Sequence, residues 1–147
     1  MRNTIINRIT DLAQKNKDVF LATGDAGFVV LDEYKKSFPD RFLNLGIAEQ
    51  NMISFSAGLA LVGYKVFLYN IIPFLLYRCY EQVRNDICYQ CLPVTLVGTG
   101  SGVTYAPAGV THYAVEDIAI ARTLPNLVIL SPSDAIQAER CIEYAFK

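Results

Sequence analysis

Arg41-Phe42-Leu43-Asn44-Leu45-Gly46-Ile47-Ala48-Glu49-Gln50-Asn51-Met52-Ile53-Ser54-Phe55-Ser56-Ala57-Gly58-Leu59-Ala60-Leu61-Val62-Gly63 is the stretch whose reading decides the fold. Arg41 to Leu45 read as a short strand, and Met52 to Val62 as a nearly all-apolar helix ending at Gly63. Glu49 stands where that helix begins, on the carboxyl side of the strand, which is where open α/β sheets bind ligands. A carboxyl group there is partly withdrawn from water. Burial favours its protonated form, which suits it to exchange a proton near neutral pH. The competing reading is a first-turn glutamate that serves only the helix dipole.

Working outward, Asn3 to Lys15 carries a helical stripe of Ile5, Ile6, Ile9, Leu12 and Ala13. Val19 to Ala22 is a buried strand that runs into the turn-rich loop Thr23-Gly24-Asp25-Ala26-Gly27. Phe28 to Phe38 is expected to be helical, stopped by Pro39, and Lys65 to Tyr69 to be a third strand. A long helix is expected from near Pro73, a favoured first-turn residue, to about Gln90. Val94 to Thr99 reads as a fourth strand, Gly100 to Thr111 as a Gly-rich loop and Val115 to Thr123 as a helix. Leu127 to Leu130 reads as a fifth strand, and Ser133 as the N-cap of a last helix. Strands alternating with helices predict one α/β domain over 1–147: a three-layer αβα arrangement around a mostly parallel sheet of about five to six strands.

A chain of 147 residues can bury a substantial single core. Its hydrophobic fraction of 52% is high, and an apolar protein interface would account for the excess. Its apolar runs are interrupted and fall short of the roughly 20 residues a bilayer span requires. Met1 to Asn7 lacks the apolar centre of a signal peptide, so a cytoplasmic location and no membrane partner are expected. The formal net charge of −1, without a basic stripe, excludes nucleic acid as an expected partner. Cys88 and Cys91 form a C-x-x-C pair, but with Cys79, Cys141 and the single histidine, His112, they give no zinc-type spacing. The cysteines are therefore expected to be reduced, and no metal site is expected in this chain.

Gly46-Ile47-Ala48-Glu49-Gln50-Asn51 is followed by Ala57-Gly58-Leu59-Ala60, Gly63-Tyr64-Lys65, Phe74 and Arg78-Cys79-Tyr80-Glu81-Gln82-Val83-Arg84-Asn85-Asp86. Leu92-Pro93-Val94, Gly109-Val110-Thr111-His112, Glu116-Asp117-Ile118-Ala119, Pro125-Asn126-Leu127 and Ser131-Pro132-Ser133-Asp134 complete the series. In order and spacing, from about Val19 to the end, these motifs resemble the pyrimidine-binding domain of transketolases and deoxyxylulose-phosphate synthases. The resemblance implies thiamine diphosphate as cofactor and Glu49 as the residue that hydrogen-bonds its aminopyrimidine and activates it. It implies Phe74 as the stacking aromatic, with Tyr77 near the exocyclic amine. His112, in the Gly-x-Thr-His motif, and Arg78 are implied on the substrate side, and Asp25 near the cofactor and a subunit interface.

Two departures matter. Transketolases carry a histidine where Gly100 stands and an aspartate where Ala108 stands, so the usual ketose-phosphate donor is not implied. The loop Gly100 to Gly109 instead resembles short, split transketolase-like subunits. The family's diphosphate-and-metal motif, Gly-Asp-Gly with a downstream Asn, has no counterpart, because Thr23 to Gly27 matches a different loop. The diphosphate and Mg2+ are therefore expected on a partner subunit, alongside a homodimer of this chain. Tyr144 to Lys147 are expected to lie in the last helix, the family's C-terminal domain being absent. The expectation is a transketolase-like transferase subunit, inactive alone, that takes part in two-carbon ketol transfer on a sugar or sugar phosphate. The alternatives are a 2-oxoacid dehydrogenase beta-type subunit and a noncatalytic interaction domain of the same fold.

Overall fold

The computed structural model describes residues 1–147. Helix α1 (Arg2–Lys15) leads into strand β1 (Val19–Thr23), helix α2 (Asp32–Ser37), strand β2 (Phe42–Asn44) and helix α3 (Glu49–Leu61). Strand β3 (Lys65–Ile71) then feeds a helical segment made of two wide π-type turns, Pro73–Tyr77 and Val83–Cys88, flanking a short helix α4 (Tyr80–Gln82). Strand β4 (Val94–Thr99), two short 3₁₀ turns (Ala106–Ala108 and Val110–His112), helix α5 (Asp117–Ala121) and helix α6 (Ala135–Phe146) follow. The four strands form one parallel sheet in the order β2-β1-β3-β4.

Side-chain alternation along the strands builds two cores. Phe20, Ala22, Val66 and Leu68 face α3, the Pro73–Cys88 segment and the end of α5. Val19, Leu21, Phe67 and Tyr69 face α1, α2 and α6. Every residue of β1 is buried, as an interior strand of a sheet covered on both sides must be. On the second face, Arg8 of α1 reaches Glu143 of α6 at 2.7 Å. Because all four strands are parallel, the loops after β1, β2, β3 and β4 emerge at the same edge, where Glu49 lies.

The expected α/β class and helical layers are present, but the sheet has four strands, fewer than the count expected from sequence. Leu127 to Leu130 makes no ladder. Asn126 turns the chain at φ 57° and donates from Nδ2 to the Cys88 carbonyl at 3.2 Å, so the following run stays largely exposed. The helix expected over Phe28 to Phe38 is confined to α2, because Phe28 to Leu31 form a turn with Val29 at φ 68°. That expected over Val115 to Thr123 is confined to α5. The long helix from Pro73 is interrupted at Cys79, where φ is −112°, between turns closed by Arg78 N–H to Pro73 C=O and Tyr89 N–H to Arg84 C=O. Such wide turns are frequent at functional sites. The last helix is capped by Asp134 rather than Ser133. Asp134 Oδ1 accepts from Gln137 N–H at 2.8 Å, and Gln137 Oε1 accepts from Ser133 N–H at 3.0 Å.

Two outcomes follow from this packing. Ile53 of α3 is fully buried in the first core, so Ile53→Ala should lower stability by about 2–5 kcal/mol; an unchanged urea midpoint would contradict the packing. All four cysteines are free thiols, with Cys79 buried and Cys91 exposed. Burial, and after it the Glu49 carboxylate, pushes the Cys79 thiol up to about 12. It therefore holds its proton at about pH 8, and only the thiolate is nucleophilic. Iodoacetamide should modify Cys91 first and spare Cys79 until the chain unfolds. Peptide mass spectrometry reads the order, and early loss of the Cys79 thiol would refute it.

Candidate functional site

The site begins with the backbone around Glu49. After β2 the chain turns through Gly46 at φ 70°, and the Ala48 N–H returns to the Gly46 carbonyl at 2.9 Å. This places Glu49 as the first residue of α3 with only 5% of its surface exposed. The loop after β1 packs against it. A Cβ at Gly24 would lie 2.7 Å from Asn70 Nδ2, 3.3 Å from the Gly46 carbonyl and 3.5 Å from Glu49 Cγ. Only glycine allows that approach.

The buried carboxylate has a partner. Arg78 Nη1 donates to Glu49 Oε1 at 2.8 Å, from a side chain that remains 46% exposed. A carboxylate this buried is tolerated when a hydrogen-bonded cation compensates it. The guanidinium carbon also sits 4.4 Å from the Phe74 ring centroid. On from Phe74, the His112 ring meets it edge-to-face at 5.1 Å and 79°. Glu49, Arg78, Phe74 and His112 thus form one continuous chain of contacts, drawn from α3, the Pro73–Cys88 segment and the loop after β4.

The other expected residues sit around this chain. Tyr77 donates to Glu116 Oε2 in a long 3.5 Å contact, and burial, then the Asp117 and Glu116 carboxylates, raise its phenol above the usual tyrosine range. Asp25, exposed at φ 58°, is tied to Asn44: its N–H donates to Asn44 Oδ1 at 2.9 Å and its Oδ1 accepts from Asn44 Nδ2 at 3.3 Å. It lies on the same loop edge without touching Glu49 or Phe74 through a hydrogen bond. His112 Nδ1 pairs with Thr111 Oγ1 at 3.0 Å. At Gly100, with φ 82°, a Cβ would come within 2.2 Å of the Tyr105 ring, so the loop is shaped around a missing side chain there. Ala108 ends the first 3₁₀ turn, exposed. No group of three or more His, Cys, Asp or Glu side chains gathers in a metal-holding arrangement.

Two features of the site were not foreseen. Asn70, 1% exposed, donates from Nδ2 to the Gly24 carbonyl at 3.4 Å and accepts from its neighbour's N–H, at Ile71, at 2.8 Å. The signal was a polar residue at the end of the apolar run Lys65 to Tyr69. The Glu49–Arg78 pair carries no sequence signal, because the two residues come together only through packing.

Comparison with known proteins completes the picture. The family model described as the transketolase pyrimidine-binding domain matches residues 1–147. The chain is 38% identical over 143 residues to an apulose-4-phosphate transketolase subunit of Phocaeicola vulgatus, covering 97% of this chain and 46% of that protein. It is 43% identical over 105 residues to 1-deoxy-D-xylulose-5-phosphate synthase of Caldanaerobacter subterraneus, covering 71% of this chain and 17% of the synthase. A solved structure described as a split-gene transketolase, inactive beta4 tetramer, superposes with a TM-score of 0.87 at 34% identity, over 99% of this chain and 46% of that one. The chain therefore spans about half the length, or less, of the relatives it matches. With its whole length covered by the family model and its fold shared with the split-gene enzyme, the chain belongs to the transketolase pyrimidine-binding domain family.

Proposed function

We propose that this chain supplies the pyrimidine half of a thiamine-diphosphate site in a transketolase-type transferase. The observation that carries this reading is the occupancy of the Glu49–Phe74 gap. A flat nitrogen heterocycle needs an aromatic face and a carboxylate to meet its ring nitrogen, and the gap already holds a flat N–H donor, the Arg78 guanidinium, on those same two contacts. The donor set fits the group. When bound, thiamine diphosphate supplies the carbon nucleophile that makes and breaks C–C bonds beside a carbonyl.

In this reading the residues of this chain act as follows. Glu49 Oε1 holds a proton against a ring nitrogen of the aminopyrimidine and exchanges it. Its burial keeps water from competing for that contact. Phe74 provides the stacking face, and Tyr77 borders it toward Glu116. His112, braced by Phe74 and Thr111, offers an imidazole to a hydroxyl or carbonyl oxygen of a sugar or sugar phosphate. Gly100 and Ala108, in place of the histidine and aspartate of transketolases, set the donor apart from the usual ketose phosphate. Asp25, at the outer loop, faces the incoming subunit.

That subunit would hold the diphosphate and Mg2+, leaving this chain inactive alone. The split-type names of its relatives support this division, as does the inactive state described for the β tetramer. We further place the chain in a cytoplasmic, carbohydrate-metabolising setting, in keeping with its four free cysteines. No helix is long and apolar enough to cross a membrane.

The decisive measurement concerns Glu49. In the complex reconstituted with the diphosphate-binding subunit, Glu49→Gln should slow hydrogen–deuterium exchange at the cofactor's reactive carbon by about 10²–10⁴-fold. An amide keeps the shape but does not exchange the proton. Exchange at the wild-type rate, followed by NMR, would remove Glu49 from the chemistry. Self-association is the second expectation. Ile47, Leu61 and Val62 are exposed to 77%, 64% and 74% at the ends of an otherwise apolar helix, a pattern that calls for a covering surface. Sedimentation at micromolar concentration should show a dimer or larger assembly; a monodisperse monomer would count against it.

A further inference from the structure

We infer that Arg78 is a built-in surrogate for the aminopyrimidine, a side-chain plug that fills the ring's place until the ring arrives. This inference rests on the proposed function. It adds that the half-site is closed by its own chain and opens by a single side-chain displacement.

The geometry supports it from both ends. The guanidinium is planar and cationic, lies 4.4 Å from the Phe74 centroid and donates to Glu49 at 2.8 Å. A ring that stacks on Phe74 and meets Glu49 requires both positions, so the guanidinium and the ring exclude one another. The backbone of Arg78 is held in place: its N–H donates to the Pro73 carbonyl at 3.0 Å, and its carbonyl accepts from Gln50 Nε2 at 3.2 Å. Only the side chain is free to leave, and with 46% of its surface exposed it has a route to solvent. Glu49, at 5%, has none.

The physical benefit is compensation. Without a cation, an ionised Glu49 at the start of α3 would be a buried, unpaired charge, which is strongly destabilising. Arg78 neutralises it while the ring is absent and hands the carboxylate over when the ring enters. Occupation of the gap by Arg78 lowers the apparent affinity for the ring by the fraction of chains that stand open. If about one chain in ten is open, the loss is about tenfold.

The experiment titrates the full chain with 4-amino-5-hydroxymethyl-2-methylpyrimidine, the bare ring without thiazolium or diphosphate, and reads binding by NMR. Arg78→Ala should bind the ring about tenfold more tightly than wild type, and Phe74→Ala should bind it more weakly. In wild type, the Arg78 Nε–H signal should shift as the ring is added. Because Arg78→Ala leaves Glu49 unpaired and can fail to fold, Arg78→Lys provides the second arm. It keeps the charge but loses the planar fork, and should bind the ring more tightly than wild type by a smaller factor. Equal or weaker binding by the Arg78 variants, with Phe74→Ala still weakening it, overturns the plug and leaves the site reading intact. Binding that ignores Phe74→Ala, or no binding by any folded variant, overturns the site reading and the plug with it.

Discussion

A parallel sheet covered on both faces imposes the layout of this molecule. β1 and β3 are interior strands with almost no exposed surface, so their side chains must alternate between two helical layers. Parallel pairing forces each strand to return through a crossover, which delivers every strand end to one edge. The loops after β1 and β2 close on each other there, and the absence of a Cβ at Gly24 lets them touch. The start of α3 comes directly after, so the position of Glu49 is a consequence of sheet topology before it is a matter of chemistry.

Once a carboxylate is buried at that edge, electrostatics dictates its surroundings. A buried charge is tolerated only with a hydrogen-bonded partner, and Arg78, the residue that caps the wide turn Pro73–Tyr77, provides one. That turn is wider than an α-helix, and the helical run is interrupted at Cys79, two residues beyond it. The same guanidinium covers Phe74, whose edge contact reaches His112 across the sheet edge. Polar and aromatic residues from three separated segments thus form one connected group. The first core, with Met52, Ile53, Leu75 and Leu76, provides the rigid floor beneath it.

Apolar surface remains where the chain has no internal use for it. Ile47 stands exposed just before Glu49, Leu61 and Val62 at the far end of α3, and Val128 is 61% exposed in the run before α6. In the proposed assembly, this is the surface that a neighbouring chain would cover. The relatives are about twice as long as this chain or longer.

The sequence alone determined the α/β class, the strands read over Val19 to Ala22, Lys65 to Tyr69 and Val94 to Thr99, which the fold extends to Thr23 and Ile71 in the first two, the helix after Glu49 and the family. These are local matters: a buried parallel strand reads as a continuous apolar run, and a helix start is recognised from the apolar residues after it. It also singled out Glu49, Phe74 and His112, because each sits inside a motif of fixed spacing. Tertiary structure decided the rest. Whether Leu127 to Leu130 joins the sheet depends on where Asn126 anchors the chain, at the Cys88 carbonyl and away from β4. The interruption at Cys79 of the segment from Pro73, which shares a core with α3, is likewise visible only in the fold. The Glu49–Arg78 pair joins residues 29 positions apart. Neither periodicity nor spacing encodes that distance; it exists because β3 and α3 bring the two side chains to the same edge of one sheet.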